Sequence, residues 1–339
     1  MTRTALFATL AACALGGAAL AESGETLTQA RERDVLNCGV NQGLVGFAAP
    51  DANGNWSGFD VNFCMAVAAA VLGDPAKVNY IPTSGEGRFE ALTSGQVDLL
   101  ARNSTWTFSR DAELDFGAVS YYDGQGFMLR KTQGISSAKE LDGTSICVQS
   151  GTTTAINLAD YFRANNMKYT AVPVNSSAEG EQKYVAGACD AYTADISGLA
   201  ATRAAFADPE NHIILPEVIS KEPLAAVARQ GDDNWSDILR WTMYALIAAE
   251  EYGVTSANIE ELSRSSQSAE VQRLLGMGEN DLGALLGLDR TWAKRAISAS
   301  GNYGEIFAAT IGEQTPIGLP RGLNAQWTQG GLMYAPPFH

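Results

Sequence analysis

Residues 97–116 read Val-Asp-Leu-Leu-Ala-Arg-Asn-Ser-Thr-Trp-Thr-Phe-Ser-Arg-Asp-Ala-Glu-Leu-Asp-Phe. The apolar beginning of this stretch predicts a strand, and three small polar residues follow where the chain leaves the sheet: Asn103, Ser104 and Thr105. Arg110 comes five positions beyond Thr105, near the start of a predicted helix. Hydroxyl and amide groups at a strand end, with a guanidinium just beyond, can hold a carboxylate through paired hydrogen bonds. The stretch therefore predicts half of a site for a carboxylate. A surface ion pair between Arg110 and a neighbouring acidic residue explains the arginine equally well.

Strands and helices alternate on both sides of this stretch, which is typical of an α/β fold with crossover helices. Strands are predicted at 35–40, 78–81, 97–101, 145–149, 169–174 and 188–193, and helices after Asp60, at 88–94 and at 155–165. The series after 143 repeats the order of the series before it. The chain therefore predicts two copies of one architecture.

Two extended segments, near 128–131 and 225–228, are expected to connect the copies as a pair of hinge strands. Beyond the second segment, Asn234 is expected to cap a long helix with one apolar face. The tail, from 256 to 339, is expected to pack back on the first copy.

A second polar turn, Ser150-Gly151-Thr152-Thr153-Thr154, joins a predicted strand to a predicted helix. Glycine allows a close approach of the backbone to a ligand, and a helix N-terminus offers unpaired N–H groups to an anion. Ser150, Thr152 and Thr153 are therefore candidates for a second carboxylate contact. An ordinary helix start is the alternative. The turn is no phosphate loop, because no Gly-Lys-Ser or Gly-Lys-Thr follows it.

Asp195 stands at the end of a later strand, where a carboxylate suits an ammonium group. Its alternative role is to cap a helix at 196–205. Arg110, the polar turn and Asp195 together complement a zwitterion.

The first 21 residues have a basic start, an apolar run and the motif Ala19-Leu20-Ala21, which predict a secretory signal peptide cleaved after Ala21. A lipoprotein signal that places a lipid on Cys13 is the alternative. No later segment has about 18 uncharged apolar residues, and the remaining length suits two domains.

The formal net charge is −15, which argues against binding to nucleic acid or to an anionic membrane surface.

Four cysteines remain after the predicted cleavage: Cys38, Cys64, Cys147 and Cys189. An even number in an exported protein favours two disulfides, with three possible pairings, over four free thiols. The wide spacing gives no indication of a metal or thiol redox site.

The chain resembles the solute-binding component of polar amino-acid ABC importers over nearly its whole mature length. Residues 54–60, Gly-Asn-Trp-Ser-Gly-Phe-Asp, resemble the family's G-x-x-x-G-F-D entry to the first helix. Residues 107–116 resemble its T-x-x-R…F segment, and 149–153 its turn in the second lobe. Residues 56–60 and 102–107, and the tail with Gly253-Val254-Thr255-Ser256, are most similar to the subgroup for general L-amino acids or for glutamate, glutamine, aspartate and asparagine.

This resemblance implies a type II periplasmic binding protein fold. Lobe 1 would comprise 22–129 and 229–339, and lobe 2 would comprise 130–228. It further implies the disulfides Cys38–Cys64 and Cys147–Cys189. The protein would be a periplasmic monomer that needs no cofactor, binds an L-amino acid between the lobes and delivers it to an inner-membrane ABC permease.

The resemblance also implies roles for single residues. Arg110 would pair with the α-carboxylate, Thr105 and Asn103 would bind the ligand's backbone groups, Thr153 would close on the carboxylate, and Asp195 would bind the ammonium. Arg88, 22 residues before Arg110, would meet a side-chain carboxylate; Arg102 would assist it or be a surface charge. Leu44 stands where relatives specific for one amino acid have an aromatic residue, which indicates a roomier pocket.

Two other functions remain open at this point. An exported dehydratase for a prephenate-like acid would need a general acid in the cleft, and Glu86, Glu179 and two histidines are the candidates. A sensor ectodomain would need a separate signalling partner.

Overall fold

The computed structural model describes residues 24–339. The predicted signal peptide, its cleavage site and Cys13 lie outside the described residues. The strands are β1 (Leu36–Val40), β2 (Ala49–Pro50), β3 (Trp56–Ser57), β4 (Val78–Pro82), β5 (Leu99–Leu100), β6 (Leu114–Asp123), β7 (Gln125–Arg130), β8 (Ser145–Gln149), β9 (Thr170–Val174), β10 (Ala191–Asp195), β11 (His212–Ile214) and β12 (Glu222–Arg229). The α-helices are α1 (Glu25–Arg33), α2 (Phe59–Leu72), α3 (Arg88–Thr93), α4 (Phe108–Asp111), α5 (Thr153–Ala164), α6 (Ser177–Val185), α7 (Ile196–Ala205), α8 (Asp233–Glu251), α9 (Ile259–Ser265), α10 (Ala269–Leu274), α11 (Trp292–Ser300) and α12 (Tyr303–Thr310).

Two five-stranded mixed sheets define two lobes, as the α/β two-lobe prediction required. Lobe 1 contains the sheet β4-β1-β5-β12-β6, in which β12 runs antiparallel to β5 and β6. Lobe 2 contains the sheet β11-β7-β10-β8-β9, in which β7 runs antiparallel to β10 and β11. The other pairings are parallel, so the polar ends of β5, β8 and β10 point towards one cleft.

The chain crosses between the lobes earlier than the sequence predicted. β6 ends at Asp123 in the first sheet and β7 begins at Gln125 in the second, so the first crossing is at Gly124. The return lies between β11 and β12. The segments expected to form the hinge, 128–131 and 225–228, instead fall mainly within β7 and β12. Met128 and Leu129 are buried in one sheet and residues 225–228 in the other, and short extended segments of this kind look the same in sequence as hinge strands.

The helix α8 begins two residues earlier than expected. The side chain of Asp232 accepts a hydrogen bond from the Trp235 N–H and caps the helix, so the prediction of Asn234 as the cap is wrong. The Asn234 side chain is engaged elsewhere, with the Gly24 N–H and the Leu286 carbonyl. These contacts tie the beginning of lobe 1 and part of the tail to α8.

Each lobe contains one disulfide, and both predicted pairs are confirmed. Cys38 of β1 is bonded to Cys64 of α2, with 6.2 Å between their Cα atoms. Cys147 of β8 is bonded to Cys189, just before β10, with 5.7 Å between their Cα atoms.

The tail helices pack in the same buried cluster as α2 and α8, as expected. No helix within residues 24–339 is long and apolar enough to cross a membrane.

Candidate functional site

The candidate site is a cleft of about 650 Å³ between the lobes, part of it open to solvent. Most of its lining is polar. Lobe 1 contributes Asn41, Leu44, Arg88, Arg102, Asn103 and Thr105, and lobe 2 contributes Gln149, Thr152, Thr153, Thr154, Ser177, Tyr192, Thr193, Ala194, Asp195, Ser197, Gly198 and Thr202. Of the predicted site residues, all except Arg110, Ser104 and Ser150 line this cleft.

Each of these three residues adjoins a residue that lines the cleft. Arg110 donates a 2.8 Å hydrogen bond from Nη1 to the Thr105 carbonyl. Ser104 is fully buried and its carbonyl accepts from the Ala225 N–H. The Ser150 N–H bonds to the Val174 carbonyl, which ties the polar turn to β9.

Two arginines from lobe 1 are buried at the cleft wall. Arg88, the first residue of α3, is 2% exposed, and its Nε has no hydrogen-bond partner within the described chain. Its guanidinium carbon lies 4.6 Å from the centre of the Phe89 ring. Burial lowers the pKa of Arg88, and the nearby charges of Arg102 and Arg110 lower it further, whereas Asp195 raises it. A buried cation in this position calls for an anionic partner from a ligand.

Arg102 is only 5% exposed, so the interpretation of this residue as a surface charge is wrong. Its Nε donates to the Thr83 carbonyl at 3.1 Å. Burial lowers the pKa of Arg102 to about 10, while the carboxylate of Asp60 acts in the opposite direction. The next residue, Asn103, has a φ of 47°, a left-handed conformation that asparagine tolerates better than most residues. This turn ends the strand segment and brings consecutive polar residues to the cleft.

Asp195 ends β10 and reaches the cleft from lobe 2, as predicted. It occupies the N-cap position of α7, but its side chain makes no capping hydrogen bond. Burial raises the pKa of Asp195, and repulsion from Asp123 and Glu222 raises it further, whereas Arg88 and Arg110 lower it. A cationic ligand group beside Asp195 would offset the cost of this burial and favour its ionised form.

The sequence analysis missed two acidic residues beside this aspartate. Asp123 ends β6 and accepts hydrogen bonds from the Ser197 hydroxyl and the Gly124 N–H, and burial raises the pKa of Asp123 to about 6. Glu222 begins β12 and is 1% exposed. Both stand where a strand leaves its lobe. The available signal in the sequence was an acidic residue next to a glycine or a proline at one end of a strand: Asp123 precedes Gly124, and Glu222 precedes Pro223.

The polar turn of lobe 2 leads into α5, a twelve-residue helix whose N-cap is Thr152. The Thr152 hydroxyl donates to the Gln149 carbonyl at 2.7 Å and does not cap the helix. The N–H groups of the first turn are thus left for an anion in the cleft. Gly151, with a φ of 69°, lies against Glu86 of lobe 1, so the lobes meet at the mouth of the cleft.

The polar and charged residues of the cleft are arranged as in a binding site. No group of histidine, cysteine, aspartate and glutamate side chains in residues 24–339 has the arrangement of a metal site. His212 lies outside the cleft and its Nδ1 is 2.8 Å from the Tyr184 hydroxyl. Glu179 accepts from the Asn175 N–H at 2.8 Å.

Comparison with known proteins gives concordant results. A model of the bacterial extracellular solute-binding proteins, family 3, matches residues 36–258. The chain is 63% identical over the full length of both proteins to the glutamate/glutamine/aspartate/asparagine-binding protein BztA of Rhodobacter capsulatus. It is 53% identical, over 99% of each chain, to the general L-amino acid-binding periplasmic protein AapJ of Rhizobium johnstonii.

A solved structure has the same architecture. It is described as an ABC transporter/periplasmic binding protein from Brucella ovis with glutathione bound. The TM-score is 0.90 at 52% sequence identity, over 93% of this chain and 99% of the other.

Proposed function

The chain belongs to family 3 of the bacterial extracellular solute-binding proteins, and we propose that it is a periplasmic receptor for polar and acidic L-amino acids. The ligand would bind in the cleft between the lobes and be delivered to an inner-membrane ABC permease. Lobe closure around the ligand would be the signal that the permease reads.

The pairing of opposite charges across one cleft carries this proposal. Arg88 reaches the cleft from lobe 1 with no hydrogen-bond partner for its Nε in the described chain, and Asp195 reaches it from lobe 2 without capping its helix. An amino acid whose ammonium meets Asp195 and whose side-chain carboxylate or amide meets Arg88 can satisfy both groups, whereas a purely anionic or purely cationic ligand leaves one of them unpaired. The ligand class is therefore a free amino acid.

Residue roles follow from the same arrangement. Asp195 would hold the α-ammonium, and the α-carboxylate would bind at the N-terminus of α5, near Thr153, under the positive charge of Arg110. Thr105 and Asn103 would contact the same backbone groups of the ligand. Arg88, with Arg102, would face a side-chain carboxylate or amide.

The names of the relatives support this ligand range. Two of them are named for general L-amino acids or for glutamate, glutamine, aspartate and asparagine. Leu44 lines the cleft and is a smaller side chain than the aromatic residues, which favours a broad rather than a narrow range.

The Brucella ovis structure, with glutathione bound, favours a second ligand class. Glutathione begins with a glutamate joined through its γ-carboxyl group, so its α-ammonium and α-carboxylate are free. The same charged groups would hold that end of the tripeptide. γ-Glutamyl compounds are therefore a second candidate ligand class.

An exported dehydratase is the less favoured alternative. His212 and Glu179 are engaged outside the cleft, and Glu86 lies at its mouth against Gly151. Full-length relatives are named for binding and not for turnover.

A thermal-unfolding screen of the mature protein tests the proposal. We expect glutamate, glutamine, aspartate and asparagine to raise the Tm, because a ligand that binds only the folded state stabilises it. D-Glutamate is the matched control, and it should have little effect. Stabilisation by prephenate alone, with turnover, would establish the dehydratase instead.

A further inference from the structure

Glu222 is a buried carboxylate at the crossing between the lobes, and it does not line the ligand cleft. It is the first residue of β12, and its register partner in β6 is Asp123. Burying a carboxylate is costly unless hydrogen bonds compensate for the lost water. The identity of those hydrogen-bond donors indicates what the residue does.

Four side chains from both lobes donate to Glu222. Thr105 of lobe 1 donates to Oε2 at 2.5 Å, and Ser220, in the returning crossing, donates to Oε1 at 2.6 Å. Two donors come from α5 of lobe 2: the Thr153 hydroxyl to Oε2 at 3.0 Å and Asn157 Nδ2 to Oε1 at 2.6 Å. One carboxylate therefore joins side chains from both lobes.

Glu222 is held more rigidly by lobe 1 than by lobe 2. Around Glu222 the backbone of β12 is bonded to the polar strand end, from the Trp106 N–H to the Pro223 carbonyl at 2.8 Å and from the Ala225 N–H to the Ser104 carbonyl at 3.1 Å. The hydrogen bonds of Glu222 to α5 involve side chains only. Separation of the lobes would break these two contacts and leave those with lobe 1 in place.

We propose that Glu222 is an interlobe latch, a positioning residue that stabilises the closed lobes through Thr153 and Asn157 and so slows ligand release. This inference rests on the proposed receptor function. Thr105 and Thr153 both line the cleft, so the latch is assembled from the residues that meet the ligand. Glu222 holds them in place without touching the ligand.

Asn157 allows the latch to be weakened without altering the cleft. It does not line the cleft, and its amide is the Glu222 donor that lies furthest along α5 from the ligand. The variant Asn157→Ala removes this one contact. Asn165→Ala, at the other end of the same helix, is the matched control because the Asn165 amide bonds only to the Tyr161 carbonyl of its own helix. Glu222→Gln is the second test variant, since it keeps the shape and removes the charge.

The readouts are the dissociation rate of L-glutamate by stopped flow and the distance between spin labels on the two lobes. Exposed Glu113 and Lys168 suit the labels after replacement by cysteine. Asn157→Ala and Glu222→Gln should release L-glutamate about tenfold faster, with the association rate within about twofold of wild type. Both should shift the distance distribution towards the open form, with and without L-glutamate. Asn165→Ala should behave as wild type.

Two results separate the latch from a purely structural role. Wild-type dissociation rates and distances in Asn157→Ala, together with a lowered Tm in Glu222→Gln, would overturn the latch. If the wild-type protein binds no amino acid, the receptor proposal fails, and the distances in the ligand-free variants still decide whether Glu222 holds the lobes together. If Glu222→Gln does not fold, Asn157→Ala supplies the test.

Discussion

The hydroxyl oxygens of Thr105 and Thr153 lie 3.4 Å apart across the cleft, one from each lobe. Two residues 48 positions apart in the chain thus meet at the point where a ligand would be enclosed. This contact requires the lobes to be closed. The predictions below concern the closed arrangement and the charges that it buries.

The first prediction concerns Arg110, which donates to the carbonyl of Thr105, a residue that lines the cleft. Arg110→Ala should weaken L-glutamate binding by about a hundredfold or more, because it removes the positive charge that we propose pairs with the ligand carboxylate, at a cost of about 3–5 kcal/mol. Calorimetry on both proteins measures the change. Arg163→Ala, an exposed arginine on α5, is the control. A change below threefold would remove Arg110 from the site.

The second prediction concerns the selectivity that Arg88 provides. Its buried guanidinium would pair with a side-chain carboxylate more strongly than with a neutral amide. Arg88→Ala should therefore reduce the affinity for glutamate and aspartate more than the affinity for glutamine. Titrations with all three ligands provide the comparison. Equal losses for the three would place Arg88 outside the side-chain pocket.

The third prediction tests lobe closure at the cleft mouth. A Cβ added to Gly85 of lobe 1 would lie 2.9 Å from Gln149 Nε2 and 3.1 Å from the Ser150 carbonyl oxygen, both in lobe 2. Gly85→Ala should weaken ligand binding about tenfold, because overpacking of this size costs about 1–3 kcal/mol in the closed form only. The melting temperature without ligand should change little.

Gly117→Ala is the matched control for this glycine. Its added Cβ would meet its nearest neighbour, Leu239 Cβ, at an ordinary 3.5 Å. Equal affinities of Gly85→Ala and wild type would mean that the bound form is more open than this structure.

The fourth prediction concerns pH. Burial raises the pKa of Asp60 to about 7, although the Arg102 charge acts against it. Between about pH 4 and 7 the folded protein therefore binds more protons at Asp60 than the unfolded chain does. This residue lowers the free energy of unfolding as the pH rises, by up to about 1.4 kcal/mol per pH unit.

Urea unfolding at pH 5 and pH 7 measures this slope. Asp60→Asn should make the dependence on pH less steep. Asp51→Asn is the control, because hydrogen bonds from Asn55 hold the pKa of Asp51 below its usual range and it stays ionised throughout. An unchanged slope in Asp60→Asn would contradict the shifted pKa.

Much of the fold and of the site could be predicted from local sequence. The alternating apolar strands and the polar residues that end them identified both sheets, and they brought Asn103, Thr105, Thr153 and Asp195 to one cleft. These predictions succeeded because the ends of neighbouring strands meet at one edge of a sheet. The cysteine pairing came from family resemblance, since sequence alone left three possibilities.

Other features depend on contacts that no local pattern reports. Three of the four side chains that donate to Glu222 are 65 to 117 positions away in the chain, so the sequence around it does not reveal that it joins the two lobes. The Asn234 prediction failed because Asp232 and Asn234 are both good caps, and the contact of Asn234 with Gly24 decides between them. The hinge was misplaced because a short extended segment looks the same in sequence whether it lies within a sheet or links two lobes.

The central claim is that the cleft binds a free polar L-amino acid. It is tested most directly by isothermal titration calorimetry on the mature protein. Bound ligand is first removed by unfolding and refolding without reductant, so that both disulfides are kept. The account predicts one-to-one binding of L-glutamate and L-glutamine with micromolar or tighter Kd. No heat of binding with any L-amino acid, from a protein that has refolded with two intact disulfides, would contradict it.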